Sequence, residues 1–172
     1  MRLTPIVLAC IISSVPAEGA YSQTVPRAGA MTPKEQVEQL MNEGIPFVKQ
    51  MLSEHGEFYP FGVALMADGK IRHVGAKGDS EHPRSQDLLD ILFVALRDGA
   101  KDGKYKAIAV FIDVRVPRPT DGRKVDAVQV GLEHRDHYCA DVFFPYTIAG
   151  SSVAFGEVFA SKRVGVVYGC TQ

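Results

Sequence analysis

Beyond its first twenty residues, this 172-residue chain has no run approaching the roughly eighteen apolar residues that a bilayer span requires, so no integral membrane segment is expected after the N-terminus. Net charge is scarce as well. Nineteen Lys and Arg stand against twenty Asp and Glu, a formal −1 at pH 7. The basic excess that a phosphate backbone or an anionic membrane rewards is missing, and nucleic acid is not expected as a partner. Common enzyme signatures are absent: there is no Walker A sequence, glycine-rich dinucleotide fingerprint, paired CxxC, HExxH or GxSxG elbow. No cofactor is implied. Cysteine occurs three times, at Cys10, Cys139 and Cys170.

What is present is ordinary globular material, 46% hydrophobic and 23% charged, long enough for one domain with a core. The N-terminus stands apart. Met1-Arg2-Leu3-Thr4-Pro5 leads into the apolar run Ile6 to Ile12 and then Ser13-Ser14-Val15-Pro16-Ala17. A positive start, a short apolar stretch and small residues at −3 and −1 predict a signal peptide over residues 1–17, cleaved after Ala17, and a protein exported to the periplasm or beyond. Two alternatives stand beside it: lipid attachment at Cys10 after Val7-Leu8-Ala9, or an uncleaved tail on a cytosolic protein.

Cleavage after Ala17 removes Cys10 and leaves an even pair in an oxidising compartment, where a Cys139–Cys170 disulfide is the expected state. It would stabilise the fold by roughly 3 kcal/mol. In a cytosolic protein the same two residues would be buried free thiols.

Residues 18–31 are rich in Ala, Gly, Ser and Pro without apolar periodicity and are expected to form a flexible leader to a single domain over 32–172. Thr32-Pro33-Lys34-Glu35 is a capping box with proline at the first helical position. The helix it opens carries Val37, Leu40, Met41, Val48, Met51 and Leu52 on one stripe, with Gly44 and Pro46 expected to kink or split it and Gly56 to end it. From Glu57 the period becomes two, through Phe58, Phe61, Val63 and Leu65, to an Asp68-Gly69 hairpin turn and a partly exposed return strand from Ile71 to Ala76. Ser85 is expected to cap a second helix through about Asp98, apolar over most of its circumference and so buried. Tyr105 to Val116 is apolar on both faces, as in a central strand. Val125 to His134 and Tyr138 to Tyr146 follow as strands, with a last hairpin pairing Phe155–Phe159 and Val164–Tyr168. The fold class is α+β: one antiparallel sheet of five to seven strands, an N-terminal helix, and a buried helix between strands 2 and 3, with one or both helices on one sheet face.

That order resembles the profilin-like and roadblock-like layer, in which a helix separates a two-strand from a three-strand unit of one antiparallel sheet. The likeness covers residues 33–146, and the C-terminal hairpin departs from it, since a roadblock domain usually carries a helix there. Phe58-Tyr59-Pro60-Phe61-Gly62 with Leu132-Glu133-His134-Arg135 is similar to a pattern in small uncharacterised bacterial proteins, which lends no activity.

Chemistry has four candidate locations. Glu133-His134-Arg135-Asp136-His137-Tyr138-Cys139-Ala140-Asp141 contains every ligand type zinc prefers, with His134, His137 and Asp141 as candidate ligands and Glu133 and His134 as candidate acid–base groups. Placement across a hairpin tip argues against convergence, and an oxidised Cys139 is no ligand. Asp113, a carboxylate inside an apolar strand, should have a raised pKa or a cationic partner such as Arg115. Asp79, Ser80, His82 and Arg84 put acid, hydroxyl, base and cation in one loop before a helix, making His82 a further catalytic candidate. Phe58, Tyr59 and Phe61 form an aromatic patch, either core or a surface for a protein or peptide partner. The reading that joins these is an exported, non-enzymatic binding or accessory domain for a protein or peptide, or a homodimer formed through an edge strand. The alternative is a small hydrolase or metal-assisted enzyme using the 133–141 or 79–84 cluster.

Overall fold

Helix α1 (Pro33–His55) opens where the capping box places it. Thr32 Oγ1 accepts from the Glu35 amide at 3.3 Å, and the Glu35 carboxylate accepts from the Thr32 amide at 2.7 Å. A computed structural model describes residues 30–78 and 80–170. The expected signal segment 1–17 with Cys10, most of the expected 18–31 leader, and Asp79 lie outside the described residues.

The helix does not split. It continues through Gly44 and Pro46 to Gly56, whose left-handed backbone (φ 77°) forms the C-cap. An interior proline costs about 3 kcal/mol. Full burial of Val37, Leu40, Val48 and Leu52 is worth about 1.5–3 kcal/mol each, so packing outweighs the lost hydrogen bond. Gly44 serves close approach: a Cβ there would stand 2.2 Å from Cζ of Phe111, whose ring fills the space.

Among the described residues seven strands follow in one antiparallel α+β architecture: β1 (Phe61–Met66), β2 (Ile71–Gly75), β3 (Tyr105–Pro117), β4 (Lys124–His134), β5 (Tyr138–Ala149), β6 (Ser152–Phe155) and β7 (Phe159–Lys162). The order is β2-β1-β3-β4-β5-β6, with β7 also pairing β5. Strand β1 starts at Phe61, because Glu57 to Pro60 connect α1 to the sheet without strand geometry. The Asp68-Gly69 hairpin forms, Gly69 supplying φ 87°.

Helix α2 (Ser85–Lys101) runs between β2 and β3. Its N-cap is Arg84, not Ser85, and no side chain caps it. The helices take opposite faces. Phe61, Val63, Leu65, Ala107, Ala109, Phe111, Val128, Val130 and Leu132 pack with α1, whereas Ala64, Ile108 and Val110 pack with Leu89, Leu92 and Leu96 of α2. This is the two-residue alternation of β3 made visible, each successive side chain serving a different helix. Burial of α2 is less complete than its composition suggested. Ile91 and Val94 are 45% and 53% exposed.

The expected last hairpin is not there. Strand β6 pairs with the end of β5 (Tyr146↔Phe155), and β7 with its start (Ala140↔Lys162). Residues 163–170 form no strand; they lie on the α2 face, where Val167 and Tyr168 join the α2 cluster. Alternating valines in this segment imitate a strand, but its amides go to a side chain instead of a ladder.

Candidate functional site

Glu133 is that side chain. It is fully buried, and its Oε1 accepts from the Val166 amide at 2.8 Å and from Arg163 Nε at 3.0 Å. Oε2 accepts from the amides of Val167 at 2.8 Å and Tyr168 at 3.0 Å. Arg163 Nη1 also donates to Asp141 at 2.8 Å, and Gln129 Nε2 donates to the same carboxylate at 3.0 Å. Gly131 makes room, since a Cβ there would lie 2.6 Å from Nη1 of Arg163. The disulfide between Cys139 and Cys170, Cα atoms 6.1 Å apart, closes the far end of the segment. Tyr168 Oη donates to the Tyr105 carbonyl at 3.0 Å, and burial pushes its pKa up to about 12. Glu133 therefore fastens the C-terminal segment to the sheet. Each carboxylate oxygen is already engaged by donors of the chain itself.

His134, the next residue, points to the opposite face and is 2% exposed. Its Nδ1 accepts from the Asp136 amide at 2.9 Å, which places the proton on Nε2, 3.2 Å from Gln36 Oε1 on α1. Burial lowers its pKa, and the Asp136 carboxylate opposes that shift. His137 sits exposed in the turn at φ 61°. The sheet thus sends His134 toward α1 and Asp141 toward Arg163 on the other face. It does not bring the three candidate ligands together, and no metal-holding group of three or more His, Cys, Asp or Glu occurs among the described residues.

Asp113 does not pair with Arg115, which reaches Asp126 at 3.6 Å instead. It accepts from Tyr146 Oη at 2.9 Å. Desolvation raises its pKa against that hydrogen bond, and the nearby charges of Asp126 and Glu57 raise it further. Ser80 and His82 are exposed in their loop, and Arg84 forks onto Asp87 through Nε at 2.9 Å and Nη2 at 2.7 Å.

The aromatic patch divides. Phe61 is buried, its ring stacked 4.7 Å from Phe111 and flanked edge-on by Phe47 at 5.0 Å. Phe58 is buried beside it, whereas Tyr59 is 52% exposed. Phe58 and Tyr59 form part of a cavity of about 410 Å³ whose other described walls are Met51, His55, Glu57 and Ser85. Three pieces of chain meet there: the last turn of α1, the connector after Gly56, and the first residue of α2. Sequence reasoning found the two rings and missed the rest, because Ser85 comes from a distant segment and His55 and Glu57 carry no pattern. The one local signal was the αL cap at Gly56, which turns the connector back beside the helix end. A second, more open concavity, about 540 Å³, lies over Pro46, Lys49, Gln50 and Ser53 of α1 and Ser151–Val153.

Three comparisons with known proteins bear on identity, and no family model, curated protein or solved structure matches the chain.

Proposed function

We propose that the protein is an exported, non-enzymatic binding domain that receives a partner in the cavity between the end of α1, Phe58-Tyr59 and the start of α2. The carrying observation is the cavity itself, which has the volume of a ligand site and an exposed tyrosine at its wall. An aromatic ring left half in water at a concavity, beside a second ring fixed in the core, is the arrangement that anchors an apolar side chain of a partner. The buried Glu133 and His134 support the same reading, because both are occupied in holding the fold and neither is among the described wall residues of the two cavities. Export is supported by the N-terminal pattern together with the disulfide, a bond that persists in oxidising compartments.

Two measurements test it. Intact mass of the protein recovered from the cell envelope should show loss of residues 1–17 and a two-dalton gain on reduction; a full-length or lipid-bearing mass rejects the proposed processing. In a fragment screen by NMR, shifts should gather at Met51, His55, Tyr59 and Ser85 and disappear in Tyr59→Ser. Shifts scattered over the surface, or unchanged by that substitution, reject the cavity.

A further inference from the structure

We propose that the cavity takes a basic peptide segment, a Lys or Arg side chain flanked by apolar residues, and this rests on the cavity being the binding site. The walls set the apolar half of the requirement: Met51, Phe58 and Tyr59 offer a thioether and two rings, room for one or two side chains in about 410 Å³. Charge sets the other half. Glu57 stands in the wall, exposed and in no ion pair among the described residues. Asp113 and Asp126 are close enough that the charges of Glu57 and Asp126 both act on Asp113 and on Tyr146. Arg115 offsets this only from an exposed position, at 3.6 Å from Asp126. A cation entering over the rings gains the ring faces and this negative field together.

Two features favour an anion instead, and both are weaker. His55 lines the cavity but is exposed and stands 3.7 Å from Glu54. The α2 N-terminus reaches the cavity at Ser85, yet the first turn already carries Asp87, which holds Arg84. Glu57 is the carboxylate in the described wall, and the wall itself therefore favours a cation.

The test is an NMR titration of the full chain with three acetylated, amidated peptides, Leu-Lys-Phe-Lys-Leu, its Gln-for-Lys form and its Glu-for-Lys form. The Lys peptide should bind about five-fold or more tighter than the Gln peptide and shift Tyr59 and Ser85. Glu57→Gln with Asp126→Asn should erase that preference without changing affinity for the Gln peptide, and Tyr59→Ser should weaken all three. Melting curves of the variants confirm that they fold, both carboxylates and Tyr59 being exposed. Equal binding of the Lys and Gln peptides overturns the charge inference and leaves the cavity standing. Tightest binding by the Glu peptide overturns it in favour of the α2 N-terminus. Absence of shifts at the cavity with every peptide up to about 1 mM overturns both.

Discussion

Glu133 and Arg163 meet in the interior, 0% and 7% exposed, with Arg163 Nε 3.0 Å from Glu133 Oε1. An ion pair this deep usually contributes little net stability, because desolvation consumes the Coulombic gain. Here the carboxylate does more, accepting from three consecutive backbone amides, Val166, Val167 and Tyr168.

That difference makes a prediction about replacing the pair. Glu133→Ala leaves Arg163 with Asp141 as its one carboxylate and takes the acceptor from three amides, and should cost about 3–5 kcal/mol in urea unfolding. The double variant Glu133→Leu/Arg163→Met removes both charges, which often restores stability elsewhere. In this protein it should remain well below the parent, since three amides lose their acceptor at about 1–3 kcal/mol each and Asp141 is left with Gln129 in place of its cation. Recovery to parental stability would show the amides to be satisfied in some other way.

The disulfide holds the same segment from its other end. Closing a loop at a sequence separation of 31 residues should stabilise the fold by about 3–4 kcal/mol, so Cys139→Ala/Cys170→Ala should lower the denaturation midpoint accordingly. Hydrogen exchange then separates the two fasteners. Amides 166–168 should keep much of their protection in the cysteine-free protein and lose it in Glu133→Ala. Equal loss in both variants would assign the segment's order to the disulfide alone.

Gly44 should resist improvement. Alanine is the better helix former by about 1 kcal/mol, but its Cβ would meet the Phe111 ring, which is pinned by its stack on Phe61. Overpacking costs about 1–3 kcal/mol, so Gly44→Ala should gain nothing and destabilise by up to about 2 kcal/mol net. A stabilised variant would mean that Phe111 has somewhere else to go.

His134 should make stability fall on acidification. Its pKa is held below the ordinary 6.5 by burial, so the unfolded chain binds a proton first. The contribution is complete above about pH 6.5 and drains away as pH drops toward the folded value. Asp113, with its pKa raised, works in the opposite sense, so the comparison must be between proteins differing at one position. Melting temperatures of the parent and His134→Gln between about pH 5 and 8 should converge at the acidic end. Parallel profiles would exclude His134 as the titrating group.

What could be read in the chain was local or periodic. The capping box at Thr32–Glu35, the αL stop at Gly56, the Asp68-Gly69 turn and the two-sided apolarity of β3 all express rules that act within a few residues, and each appears where expected. The Cys139–Cys170 pairing, expected on condition that Cys10 is removed and the domain folds outside the cytosol, is present. Misreadings arose where a distant partner decided the outcome. Pro46 stays within one helix because the sheet beneath α1 rewards continuity, and Val164–Tyr168 forsakes a strand because Glu133, more than thirty residues earlier, offers its amides a better acceptor. The candidate site has the same character. Phe58 and Tyr59 were visible as rings, but the cavity exists only because the end of α1 and the start of α2, on opposite faces of the sheet, come together beside them. Local chemistry determined which elements form, and packing across the sheet decided which side chains serve the core, which fasten the C-terminus, and which are left facing a partner.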